Sequence, residues 1–177
     1  MEVKAFVAFW TDVMGSIRGK KAIQKLVYFS KVLGIPFDNS YKMHYFGPYS
    51  ETVAQEILDA EKADIINCTG SYVYYPGSQA ESIRSQYHSM ISDNIDLLSK
   101  LIELFGDMSP SKLELYATTH YVDNIQKHLY NNYDKEEIVQ AVKNLKGTKF
   151  EIIEIQQAYN DLEDWGLLHS IDLDVAN

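Results

Sequence analysis

The chain is 177 residues long, with 25 Asp and Glu against 16 Lys and Arg, a formal net charge of −9, and a single cysteine. At about 150 residues per domain this is enough for one self-sufficient core, with no need of disulfides or a structural metal. The acidic balance argues against general coating of nucleic acid or anionic lipid, which depends on Lys and Arg neutralising phosphate, and the lone Cys68 excludes an internal disulfide or a Cys-cluster metal site.

From the N-terminus, Val3, Phe6, Val7, Trp10, Val13 and Met14 recur at spacings of three and four, which predicts a helix ending at Gly15. A second helix is expected from Lys20 to Leu33, stopped by Gly34 and kept from resuming by Pro36. Tyr41 to Phe46 suits a short extended segment, and Gly47-Pro48 reads as a turn. Ser50 then stands as N-cap of a third helix that runs to about Lys62. Ile65–Cys68 and Tyr72–Tyr75 flank Thr69-Gly70-Ser71 and predict a hairpin in which Tyr72 and Tyr74 share a face.

Beyond residue 84 the pattern is helical throughout. One helix is expected over Tyr87–Phe105, a second from Pro110 behind the N-cap Ser109 to about Tyr130, a third capped by Asp134 and ended by Gly147, and a last over Glu151–Trp165. The fold class is mainly α with a small β-hairpin. Helix, helix, extended segment, helix, hairpin is the element order of a winged helix, so residues 1–84 are expected to form a winged-helix-like half. Residues 85–177 form an acidic helical lobe packed against it as one compact unit. The charge divides at the same place. Residues 1–84 hold nine basic and nine acidic side chains, whereas residues 85–177 hold seven and sixteen, so 7 − 16 = −9 and the whole excess lies in the second half.

No apolar run matches a signal-peptide core of roughly 7–15 residues or a membrane span of about 18, so a cytoplasmic protein without membrane association is expected. Gly15 to Lys21 fails as a phosphate loop: its glycines are too close, Lys21 replaces the Ser or Thr, and a helix precedes it. Neither a metal-pair motif nor a nucleophile elbow is present, so no catalytic, metal or cofactor-binding residue is assigned. His120 and Asp123, one turn apart, would be the centre of any metal-dependent or hydrolytic enzyme, but a hydrogen-bonded structural histidine is the favoured role. Cys68 is expected to be a small buried side chain. The carboxylate groups, among them Asp172 and Asp174, read as solvated faces.

Two interaction readings remain. Thirteen tyrosines suit protein interfaces, with Tyr45, Tyr49, Tyr72 and Tyr74 as candidate contacts. The alternative is DNA binding through Arg18, Lys20, Lys21 and Lys25 around the second helix. The third helix, with Glu51, Glu56, Asp59 and Glu61, is unsuited to phosphate, which makes nucleic acid the weaker partner.

Ile23 to Phe29 (IQKLVYF), followed by His44 to Ser50 (HYFGPYS), resembles the YwgA-like family of prokaryotic proteins and, more distantly, Panacea-type (SocA-like) antitoxin domains. Lys146 to Phe150 (KGTKF) and Leu162 to Leu168 (LEDWGLL) are similar to the YwgA-like ending. The matching positions are Lys25, Leu26, Tyr28, Gly47, Pro48, Tyr49 and Ser50. The Panacea resemblance implies a non-enzymatic module that neutralises or delivers a protein partner, such as a toxin, and brings no catalytic residues. Combined with the charge split, it leads to the expectation of a cytoplasmic protein-binding regulatory module whose partner is basic, with self-association as a further option.

Overall fold

The computed structural model describes residues 1–168. Asp172, Asp174 and His169 lie outside the described residues. The element order is α1 (Val3–Met14), α2 (Gly19–Val32), β1 (Lys42–His44), β2 (Gly47–Tyr49), α3 (Glu51–Lys62), β3 (Ile66–Cys68), β4 (Tyr74–Pro76), α4 (Ala80–Gln86), α5 (His88–Asp93), α6 (Ile95–Phe105), α7 (Pro110–Tyr130), α8 (Lys135–Lys146) and α9 (Ile152–Asp164). The mainly helical class with small antiparallel hairpins is as the periodicity indicates.

Local capping explains several boundaries. The Ser50 hydroxyl accepts from Val53 N at the start of α3, Ser109 accepts from Lys112 N ahead of Pro110, and Asp134 accepts from Glu137 N. Each satisfies a backbone donor that the first helical turn leaves without a partner. Glu151 and Glu154 form a reciprocal capping box at α9.

Two expectations on local structure are corrected. The single helix over Tyr87–Phe105 is divided into α5 and α6 at Asn94, and α4 precedes them as a further short helix ending at Tyr87. Ser92-Asp93-Asn94 favours local side-chain bonding over helix continuation, and Asn94 Nδ2 donates to Met90 O at 2.8 Å. Gly47-Pro48 is not a bare turn but most of β2, paired antiparallel with β1 in the register Lys42↔Tyr49, Met43↔Pro48 and His44↔Gly47. Tyr45 and Phe46 form the tip. A Gly-Pro strand carries none of the usual β signal, which hid it.

In the second hairpin β4 also bridges Ile17 in the α1–α2 connection, which leaves β3 on the outer edge. Cys68 on that edge is exposed rather than buried. Tyr72 and Tyr74 do not share a face. Tyr72 sits in the turn with φ +57 and is 79% exposed, whereas Tyr74 is buried, and its hydroxyl donates to Glu61. Tyr74 is therefore unavailable as an interface residue.

One continuous buried cluster runs from Val3 to Leu167. Helix α7 is its axis: every residue from Leu113 to Tyr121 is buried, and α2, α8, α9 and β2 all pack against it. The two halves are also joined where Phe29 of α2 stacks on Phe105 of α6, with ring centroids 4.0 Å apart and planes 16° apart. Both rings are fully buried. Phe105→Ala is expected to cost about 3–5 kcal/mol, seen in urea unfolding as one cooperative transition at lower midpoint. Two separate transitions would show that the halves do not share a core.

Candidate functional site

The residues that carry the sequence resemblance lie far apart in the chain and meet in space. Gln24 of α2 takes both backbone groups of Ser50, donating from Nε2 to Ser50 O at 2.8 Å and accepting from Ser50 N at 3.0 Å. Lys25 Nζ donates to Pro48 O at 2.5 Å. Gly47 has φ +87, and a Cβ there would lie 2.6 Å from Thr118 Oγ1 of α7. Only glycine gives the positive φ and the close approach together. Leu26 and Tyr28 face inward, with the Tyr28 hydroxyl 2.6 Å from His120 Nδ1. Tyr49 is half-buried and lies tilted against His44. The motif is thus a clamp that seats the β1–β2 hairpin on α2 and α7.

Beneath the hairpin lies a charge cluster. Glu114 of α7 is fully buried and accepts from Lys21 at 2.9 Å, Lys146 at 3.0 Å and Lys149 at 2.6 and 2.7 Å. Burial pushes its carboxyl up, but the hydrogen bonds from Lys149, Lys21 and Lys146 outweigh that and hold it at about 2. Lys146 also donates to Tyr45 O at 2.8 Å, so α8 fixes the hairpin tip. Burial lowers its ammonium below the usual lysine range, and Glu114 opposes the shift. Lys25 is 1% exposed; burial lowers it to about 7, Glu114 opposes the shift, and Lys146 and Lys21 reinforce it.

Above the cluster, Phe46 is 45% exposed and Tyr45 77% exposed. The ammonium groups of Lys21 and Lys149 lie 5.3 and 5.2 Å from the Phe46 ring centroid, within cation–π range. The hairpin tip is therefore an aromatic projection ringed by lysines on a strongly acidic protein.

Of the residues expected to meet DNA, Arg18 is exposed at the start of α2, Lys20 pairs with Glu61, Lys21 pairs with Glu114, and Lys25 is buried. Burial removes Lys25 from direct phosphate contact. His120 is 1% exposed, with Nε2 3.1 Å from Leu167 O as well as its Tyr28 contact. Asp123 accepts from Tyr159 at 3.0 Å and pairs with Lys127 at 2.9 Å. These partners make His120 and Asp123 parts of the core hydrogen-bond network. Among the described residues no group of three or more His, Cys, Asp or Glu is placed to hold a metal ion. No helix among them is long and apolar enough to cross a membrane.

Sequence reasoning did not single out Glu114. It is the only charged residue between Leu113 and Val122, but Thr118 one turn on shares its phase, so by pattern it reads as part of a polar helix face. Lys146 and Lys149 entered only as part of the KGTKF resemblance.

Glu114→Gln strands buried Lys146 without a carboxylate and is expected to cost about 3–5 kcal/mol in urea unfolding at pH 7. Because the folded carboxyl lies near 2 and its ordinary value is 4.5, its stabilisation is present above pH 4.5 and is lost as pH falls towards 2. The variant's acid limb lacks that component. Lys25 acts in the same sense in a higher window: with 10.5 as its ordinary value, the folded protein gains stability as pH rises from 7 to 10.5. Lys25→Met flattens that rise, and an unchanged slope would show that Lys25 is not desolvated.

No family model matches the chain. It is similar to Uncharacterized protein YwgA of Bacillus subtilis (strain 168), 28% identical over 153 residues that span 75% of this chain and 89% of that protein. That similarity extends over most of both chains.

Proposed function

We propose that the protein is a non-enzymatic, protein-binding regulatory module, antitoxin- or adaptor-like and cytoplasmic, that docks an acidic segment of its partner on the β1–β2 hairpin face. The observation that supports this is the tip itself, where Tyr45 and Phe46 are exposed and Lys21 and Lys149 flank the Phe46 ring. Exposed aromatics give contact area at small entropic cost, and the flanking lysines favour carboxylates and steer their approach. The partner expected from the acidic lobe was basic; the built positive pole favours an acidic one instead. The lobe's carboxylates are partly answered within the chain, as in Lys135–Glu163 at 3.1 Å.

A Tyr45→Ser/Phe46→Ser double variant should stay folded with only a modestly lower melting temperature, because Tyr45 is 77% exposed while Phe46 is a little more than half covered, and should lose the partner that tagged wild-type protein captures. Capture should also fall steeply with salt, since the screening length shrinks to about 3 Å at 1 M. Capture indifferent to both the hairpin and salt would refute the docking face. The winged-helix DNA reading has its own check: a gel shift at about 50 mM salt, where phosphate contacts are strongest, is expected to show no complex.

A further inference from the structure

We infer that the cavity between α2, the β1–β2 hairpin and α3 is a binding site for an apolar group of single-residue size that carries a carboxylate. The cavity holds about 180 Å³ and is bounded by Lys20, Lys21, Phe46, Tyr49, Ala54 and Ile57, among others. Drug-sized and cofactor sites begin at roughly 300 Å³, so a nucleotide or flavin is too large, whereas a single leucine- or phenylalanine-like group is suited to the space. Ala54, Ile57 and the aromatic rings supply an apolar lining, and burying an apolar group there is favourable.

The charge around the cavity selects the other half of the ligand. Lys20, Lys21, Lys25, Lys146 and Lys149 face Glu61 and Glu114, which gives 5 − 2 = +3, or +2 with Lys25 neutral. The pole is built in, because Glu114 is fully buried and three lysines hold it. Lys20 and Lys21 line the cavity and still reach solvent, their side chains being 49% and 31% exposed. A carboxylate joined to the apolar group brings negative charge to that pole. This chemistry is found in the last residue of a polypeptide and in a small free acid. The inference rests on the docking reading for the face concerned and sharpens it to a pocket beside the hairpin tip.

The experiment is a calorimetric titration of the full chain with N-acetyl-leucine and N-acetyl-phenylalanine, each against its carboxamide, with amide NMR spectra recorded in parallel. The acids should bind at least about tenfold more tightly than the amides, because a charge-assisted contact is lost in the amide. Shifts should concentrate at the start of α2 and in the hairpin. Ala54→Leu, which fills the cavity without altering charge, should abolish binding, and Lys20→Gln should weaken it about threefold, both with wild-type melting. An octapeptide ending in a free leucine that binds as tightly as the acid identifies a partner's chain terminus; its refusal alongside acid binding identifies a free small acid. Either result upholds the site. No binding, equal binding of acid and amide, or an Ala54→Leu variant that binds normally overturns it. If no acid binds but the hairpin double variant still loses its partner, the cavity inference fails and the docking face survives; acid binding with hairpin-independent capture is the reverse case.

Discussion

Burying a carboxylate without partners is among the costliest things a fold can do, and Glu114 sits at zero exposure on the central helix. The arrangement around it follows from that cost. Lys21 comes from α2, Lys146 from the end of α8 and Lys149 from the turn after it, so one carboxylate draws three segments to a common point. Lys146 then extends the network to Tyr45 O, and neighbouring Lys25 holds Pro48 O. The position of the hairpin is thus tied to the electrostatics of α7, and the face it presents inherits the surplus of positive charge.

This explains why the segments that carry the YwgA-like resemblance read as structural and yet frame a surface. Gln24 and Lys25 satisfy backbone groups of Ser50 and Pro48, Gly47 allows close approach to Thr118, and Ser50 caps α3. None of these side chains needs to meet a ligand. Their role is to hold Tyr45, Phe46 and Tyr49 at fixed positions on rigid helices, a requirement of any preorganised binding face.

Much of the architecture was legible because local rules and tertiary packing agree. The stops at Gly15, Gly34 and Gly147 and the caps at Ser50, Ser109 and Asp134 all fall within a residue or two of the observed boundaries. Legibility failed where context overrode local pattern. Asn94 broke an apolar periodicity that continued past it, and Gly47-Pro48 became a strand because β1 supplied its partner. Tyr74 was drawn inward by Ile17, a residue far outside its hairpin. At the site, Lys25 and the HYFGPYS segment were visible, but Glu114 was not. A single carboxylate in an apolar run looks like an exposed helix position until three other segments are known to surround it.

The contact between His120 and Leu167 has a mechanical consequence. The chain leaves α9 and is pinned to the core by His120 Nε2 near Leu167 O and by Lys127 Nζ donating to Leu168 O at 3.2 Å. His120 in turn leans on Tyr28, in the helix that clamps the hairpin. Tension applied at the C-terminal end, as by a processive unfoldase or a fused domain, would load these two tethers before any helix is peeled away. The chain just after α9 is therefore linked to the helix that clamps the hairpin through two contacts of one buried side chain, Leu167–His120 and His120–Tyr28.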